Sequence, residues 1–288
     1  IGSQGDDSFV WNPGDGSDTI EGQGGLDTML FNGANIVENV SVSANGSRAL
    51  FTRDAGGITM DLNDVERITF NALAGADNVV VNDLSGTDVT EVNVDLSQAG
   101  GGGDGAQDNV TVNATSGDDV LVLAGDVAGI SVQGLAARVN VTGADGTGDT
   151  LHIVGGAGND VIEASGVAPG SIGLVLDGGE GDDVIIGSAG DDVLIGGPGD
   201  DVLIGNGGND TFQAAPGNDT VIQGFAAAGG SQDVIDLRGI AGAHDFAWVL
   251  AHASDVDGNA VIDLGDGAHV TLDNVDVASL HSDNFLMS

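Results

Sequence analysis

Five aspartates, Asp183, Asp192, Asp201, Asp210 and Asp219, follow one another at intervals of nine residues. Carboxylates at a short fixed interval suit a hard cation such as Ca²⁺, which takes 6–8 oxygens at about 2.3–2.6 Å. Each aspartate fills the sixth place of a nonapeptide, in the run GGEGDDVII, GSAGDDVLI, GGPGDDVLI, GNGGNDTFQ, AAPGNDTVI over Gly178–Ile222. The eighth place is always apolar: Ile185, Leu194, Leu203, Phe212 and Val221. A Gly-rich six-residue stretch turns because Gly accepts positive φ. The three residues that follow make a short strand whose middle side chain points inward. One turn and one strand make half a coil, so acids eighteen residues apart stack on one edge: Asp183, Asp201 and Asp219 on the first, Asp192 and Asp210 on the second. Stacked carboxylates repel unless a cation lies between them. Asp201 is eighteen residues from both Asp183 and Asp219 and is expected to serve two gaps.

The composition agrees with a chain whose charge must be cancelled from outside. The 288 residues carry 45 acids against 5 basic residues, a formal charge of −40. All the basic residues are Arg (48, 53, 67, 138 and 238), 39 of the acids are Asp, and there are 51 Gly. Lys, Cys and Tyr are absent. This excludes a P-loop, a Schiff-base Lys, a thiol nucleophile, a disulfide framework and a Cys-type zinc site. Repulsion from phosphates excludes nucleic acid. A hydrophobic content of 41% is close to the globular average, so the acidity does not by itself mean disorder. No segment reaches the roughly 18 apolar residues of a membrane span. No basic leader of the Sec type opens the chain. It begins with Ile inside a Gly/Asp pattern and is expected to be part of something longer, with upstream domains among its partners.

The nonapeptide resembles the RTX, or hemolysin-type, calcium-binding repeat G-G-x-G-x-D-x-U-x, a β-helix repeat. The resemblance implies several Ca²⁺ ions held by sixth-place carboxylates and by carbonyls of the Gly-rich turns. The residues so implied are Asp183, Asp192, Asp201, Asp210 and Asp219 with Gly178, Gly179, Gly181, Gly187, Gly190, Gly196, Gly197, Gly199, Gly205 and Gly208. Asp160 and Asp233, which flank the array, are counted with them. The fifth repeat departs from the pattern, with Ala214, Ala215 and Pro216 in its first places. The stretch from Gly224, with Asp233-Val-Ile-Asp236-Leu and the tail Ser282-Asp283-Asn284-Phe285-Leu286-Met287-Ser288, resembles the C-terminal cap of serralysin-type RTX proteins. In that family such a tail is an uncleaved signal for type I secretion.

Elsewhere the theme is diluted. Residues 1–30 carry three G-x-D-x-apolar units, ending at Asp7, Asp18 and Asp27. Residues 31–74 break the pattern with a hairpin around Asn45-Gly46 and strands at Ile58–Leu62 and Glu66–Phe70; the three Arg there are expected to be solvated. Residues 75–177 are expected to be a degenerate parallel solenoid, with one acid series at Asp77, Asp119 and Asp160 and another at Asp108 and Asp149. Residues 178–223 form the calcium roll. Residues 224–288 form the cap, with a hairpin around Gly265-Asp266-Gly267.

The fold class expected is all-β: a right-handed parallel β-roll or β-solenoid with calcium-binding turns and an antiparallel C-terminal cap. None of the five His falls in a zinc-ligand spacing, and no G-x-S-x-G occurs. The function expected is a calcium-binding module of a secreted bacterial RTX protein, not an enzyme. It folds on extracellular Ca²⁺ and supports export by the type I machinery, in a setting such as an adhesin or surface layer. The alternative is a polysaccharide lyase or epimerase on a parallel β-helix.

Overall fold

The structure, a computed structural model, describes residues 1–215, 220–227 and 232–288. The chain divides into two compact units, 1–114 with 122–152 and 170–173, and 115–121 with 153–169 and 174–288. Residues 75–177 contribute to both.

In the first unit, short strands alternate between two parallel stacks. One stack runs Ser8–Trp11, Thr28–Asn32, Arg67–Asn71, Glu91–Asp95 and Arg138–Thr142, each parallel to the next. Gly129–Gln133 then pairs antiparallel with Arg138–Thr142, so the expected parallel solenoid contains an antiparallel insertion. The other stack joins Asn39–Asn45, Asn78–Val81 and Asn109–Asn113 in parallel. The Asn45-Gly46 hairpin forms, with Arg48–Arg53 antiparallel to Asn39–Asn45 and to Ile58–Asn63. Strict alternation of buried and half-exposed residues along these strands follows from the period of two.

The inward residues of this unit are large. Trp11 stacks on Phe31 at 3.9 Å between centroids, and Phe31 lies 4.4 Å from Phe51. Phe51 and Phe70 are buried beside them. Arg53 corrects the expectation of solvated arginines: it is buried, ion-paired with the fully buried Glu38, and 5.5 Å from the centre of the Trp11 ring. The residue count offered no clue, because the partner acid lies on another strand. Arg48 pairs with Glu21 and Asp61, and Arg67 and Arg138 both reach Glu91.

In the second unit the coils are thinner. Val161–Val167, Val184–Ile186, Asp201–Ile204 and Thr220–Gln223 form one parallel stack. Ile172–Glu180, Asp192–Ile195, Thr211–Gln213, Val234–Asp236 and Phe285–Leu286 form the other. The first four nonapeptides each place the eighth residue in the core, Ile185, Leu194, Leu203 and Phe212, whereas in the fifth the buried residue is the ninth, Ile222, opposite Leu203. The cap pairs Ala253–Val256, Asn259–Gly265 and Ala268–Leu272 antiparallel, with a bulge between Asp263 and Gly265. A short helix, Phe246–His252, capped by the Asp245 side chain, precedes it. Among the described residues no helix is long and apolar enough to cross a membrane.

Phe31 is the centre of the aromatic cluster, against Trp11, Phe51 and Phe70. Phe31→Ala is expected to cost about 3–5 kcal/mol, read as a lowered transition in chemical denaturation monitored by tryptophan fluorescence.

Candidate metal centre

The sixth-place acids are linked through their own main chains. In the second unit the amide of Asp119 donates to Asp160 Oδ1 at 2.7 Å, that of Asp160 to Asp183 at 2.7 Å, and that of Asp183 to Asp201 at 3.0 Å. On the opposite edge Asp192 donates to Asp210 at 3.0 Å and Asp210 to Asp233 at 3.1 Å. The first unit repeats the device from Asp7 through Asp27 to Glu66, and from Glu38 through Asp77 and Asp108 to Asp149. Each acid therefore spends one oxygen fixing the spacing to the neighbouring coil.

The second oxygen carries the chemistry. Oδ2 of Asp27, Asp160, Asp183 and Asp201 is buried and has no hydrogen-bond partner. A buried oxygen of this kind costs roughly 1–3 kcal/mol unsatisfied, more when charged. A hard cation removes that cost, so these residues fit Ca²⁺. Among the described residues no three His, Asp or Glu side chains converge. An ion at these edges would thus take most of its oxygens from turn carbonyls.

The glycines hold those carbonyls close. A Cβ on Gly178, Gly196 or Gly205 would overlap the carboxylate of the repeat's own acid, and on Gly187 it would lie 2.8 Å from Asp192 Oδ2. Gly197 and Gly199 have φ of 99° and 148°. A Cβ on either would overlap the carbonyl oxygen of Gly179 or Gly181 in the coil below. Gly208 stands over the Gly190 carbonyl, and Gly179 and Gly181 over those of Gly156 and Gly158. All ten glycines singled out in the sequence therefore lie in the stacked turns.

Several expectations change. Asp219 lies outside the described residues. Past Asp201 the strand pairing steps by nineteen and not eighteen, with Asp201 opposite Thr220 and Val202 opposite Val221. The series Asp77, Asp119, Asp160 does not form one edge. Asp77 stacks with Glu38 and Asp108, whereas Asp119 stacks with Asp160. Glu38 and Glu66 were missed as ladder members. The signal for both was a step of 39 residues, from Asp27 to Glu66 and from Glu38 to Asp77.

Comparison with known proteins agrees with this chemistry. The family model of the RTX calcium-binding nonapeptide repeat matches in four copies, over residues 14–35, 152–166, 175–203 and 186–221. No curated protein matches the chain. Among solved structures, the extracellular lipase LipA from Serratia marcescens aligns at 13% identity and a TM-score of 0.20. The alignment covers 93% of this chain and 41% of the lipase, so the chain spans less than half the lipase's length.

Burial pushes the ladder carboxyls upward: Asp183 and Asp210 to about 7, Asp192 and Asp201 to about 6. Neighbouring carboxylates add to the shift, Asp201 beside Asp183 and Asp233 beside Asp210. A carboxyl raised in the folded state keeps a proton that the unfolded chain releases. The metal-free fold is therefore most stable below the ordinary carboxylate value and loses stability as pH rises toward about 7. Calcium must displace those protons, so its apparent affinity moves the other way. In excess chelator the melting temperature is expected to be higher near pH 5 than near pH 8. The calcium concentration at half-saturation is expected to be lower near pH 8. Thermal melts and calcium titrations at the two pH values check both signs.

Proposed function

We propose that this carrier of RTX calcium-binding nonapeptide repeats is a calcium-triggered folding module of a secreted bacterial protein. Buried oxygens without a partner on Asp160, Asp183 and Asp201, in the unit whose repeats each give one residue to the core, carry this reading. At a net charge of −40 the chain repels itself. The energy of binding Ca²⁺ is then energy of folding. Extracellular Ca²⁺ modules bind at roughly 10⁻⁴–10⁻³ M, so the second unit stays open in a low-calcium cytosol and closes outside. Several ions are expected, at Asp160, Asp183, Asp201 and their turns.

The module is proposed to bind rather than to catalyse. All five Arg are tied up in ion pairs, Arg238 with Asp236 included, which leaves none as a base beside a carboxylate groove. Export by the type I machinery is proposed through the tail. The tail is part of the cap: Leu280, Asn284 and Phe285 are buried, and Asn284 Nδ2 donates to the Asp233 carbonyl at 3.1 Å.

Circular dichroism of the whole chain tests the trigger. Near pH 8, where the ladder carboxyls are ionised, strand signal is expected to fall short of its full value in excess chelator, the first unit alone contributing, and to rise cooperatively near about 1 mM Ca²⁺; full strand signal in chelator at that pH sinks the trigger. Removing Leu280–Ser288 is expected to abolish export from a host with a type I system, and unchanged export would place the signal elsewhere.

A further inference from the structure

The turns that precede the ladder acids come in two conformations, separated by their second residue. Gln23, Leu73, Gly156, Gly179, Gly197 and Asn206 are left-handed there, with φ of 78°, 74°, 105°, 100°, 99° and 68°. The acids four residues on are Asp27, Asp77, Asp160, Asp183, Asp201 and Asp210; the amide of the second residue caps none of them, and Oδ2 of Asp27, Asp160, Asp183 and Asp201 is buried without a partner. Ser3, Ala34, Thr115, Asp145 and Ser188 are not left-handed. Each turns its own amide onto the second oxygen of the acid four residues on: Asp7 at 2.5 Å, Glu38 at 2.9 Å, Asp119 at 2.9 Å, Asp149 at 2.7 Å and Asp192 at 2.5 Å.

We propose that the second residue of each turn decides whether that turn takes a calcium ion. A left-handed second residue leaves the carboxylate open and the turn binds; any other conformation caps the carboxylate and the turn does not bind. This rests on the calcium reading above and sharpens it to individual turns. A capped oxygen already accepts a hydrogen bond, and the positive end of that N–H points to where a cation would sit. A carbonyl oxygen of the next coil lies beside the acid in open and closed turns alike, the Gly178 oxygen with Asp160 Oδ2 at Gly155 and the Gly205 oxygen with Asp192 Oδ2 at Gly187, so the amide cap is what separates the two.

The capped state has its own support in the sequence. The hydroxyls of Ser3, Thr115 and Ser188 accept the amides of Gly5, Gly117 and Gly190, two residues on, at 3.3, 3.1 and 2.9 Å. Such hydroxyl turns hold the second residue away from the left-handed region. The Thr115 and Ser188 hydroxyls also donate to Asp119 and Asp192, at 2.7 and 3.1 Å. A Ser or Thr two residues before the turn's Gly thus marks a closed site. Asp192 is the telling case. Its repeat departs from the consensus only at the second place, where Ser188 replaces Gly, and it is closed, while Asp183 and Asp201 on either side are open. In the second unit calcium therefore loads Asp160, Asp183 and Asp201 on one edge and Asp210 on the other, and skips Asp119 and Asp192.

Isothermal titration of the whole chain with Ca²⁺ alone tests this by the number of ions bound. Asp183→Asn is expected to lose an ion and Asp192→Asn to lose none. Ser188→Gly, which removes the hydroxyl and frees the second residue to become left-handed, is expected to gain one ion. Adding Asp192→Asn to Ser188→Gly should abolish that gain. If calcium binds but Asp192→Asn costs as many ions as Asp183→Asn, or Ser188→Gly changes nothing, the turn rule is overturned and the calcium reading stands. If the unaltered chain binds no calcium, both fall.

Discussion

The ladder in which each acid accepts the amide of the acid one coil away is the interaction on which the rest of the molecule depends. It sets the distance between coils and buries a row of carboxylates at that distance. A fully ionised row of this kind cannot persist in a dry edge. Everything distinctive about the chain answers that problem. The glycines bring main-chain oxygens close, and burial holds protons on the carboxyls well above their ordinary range.

The two units answer it differently. The first supplies cations of its own. Arg53 is buried against Glu38, Arg48 bridges Glu21 and Asp61, and Glu91 lies between Arg67 and Arg138. It also has the stacked Trp11, Phe31 and Phe51, whose burial contributes several kcal/mol independent of charge. The second unit has Arg238 alone, exposed beside Asp236. Its repeats offer single residues to the core, aliphatic except for Phe212, and it holds three of the four unpartnered aspartate oxygens.

The calcium roll was legible because its information is local. A nine-residue period carries the turn, the inward residue and the acid together, so Asp183 to Asp210 and their glycines could be placed from spacing. The two hairpins were legible for the same reason, through Asn45-Gly46 and Gly265-Asp266-Gly267. What could not be read depends on residues far apart in the chain. Glu38 and Glu66 join the ladders across 39 residues, with Glu in place of Asp. Arg53 finds Glu38 on a neighbouring strand. The pairing of Asp77 with Asp108 instead of Asp119 turns on which stack each short strand enters, and similar G-x-D-x-apolar words precede both.

Repetition has a hazard that the irregular steps remove. Within the array a coil moved by eighteen residues would meet the same acid, the same glycines and nearly the same core residue, so sliding one coil along the stack changes little in energy. The steps at the borders are not interchangeable. Asp160 to Asp183 and Asp210 to Asp233 are each 23 residues, and Asp201 to Thr220 is nineteen. A slipped array would leave these longer loops over- or under-filled. The worn repeats at either border thus act as phase marks, and replacing them with perfect nonapeptides would make a chain that binds more ions but has several alignments to choose from.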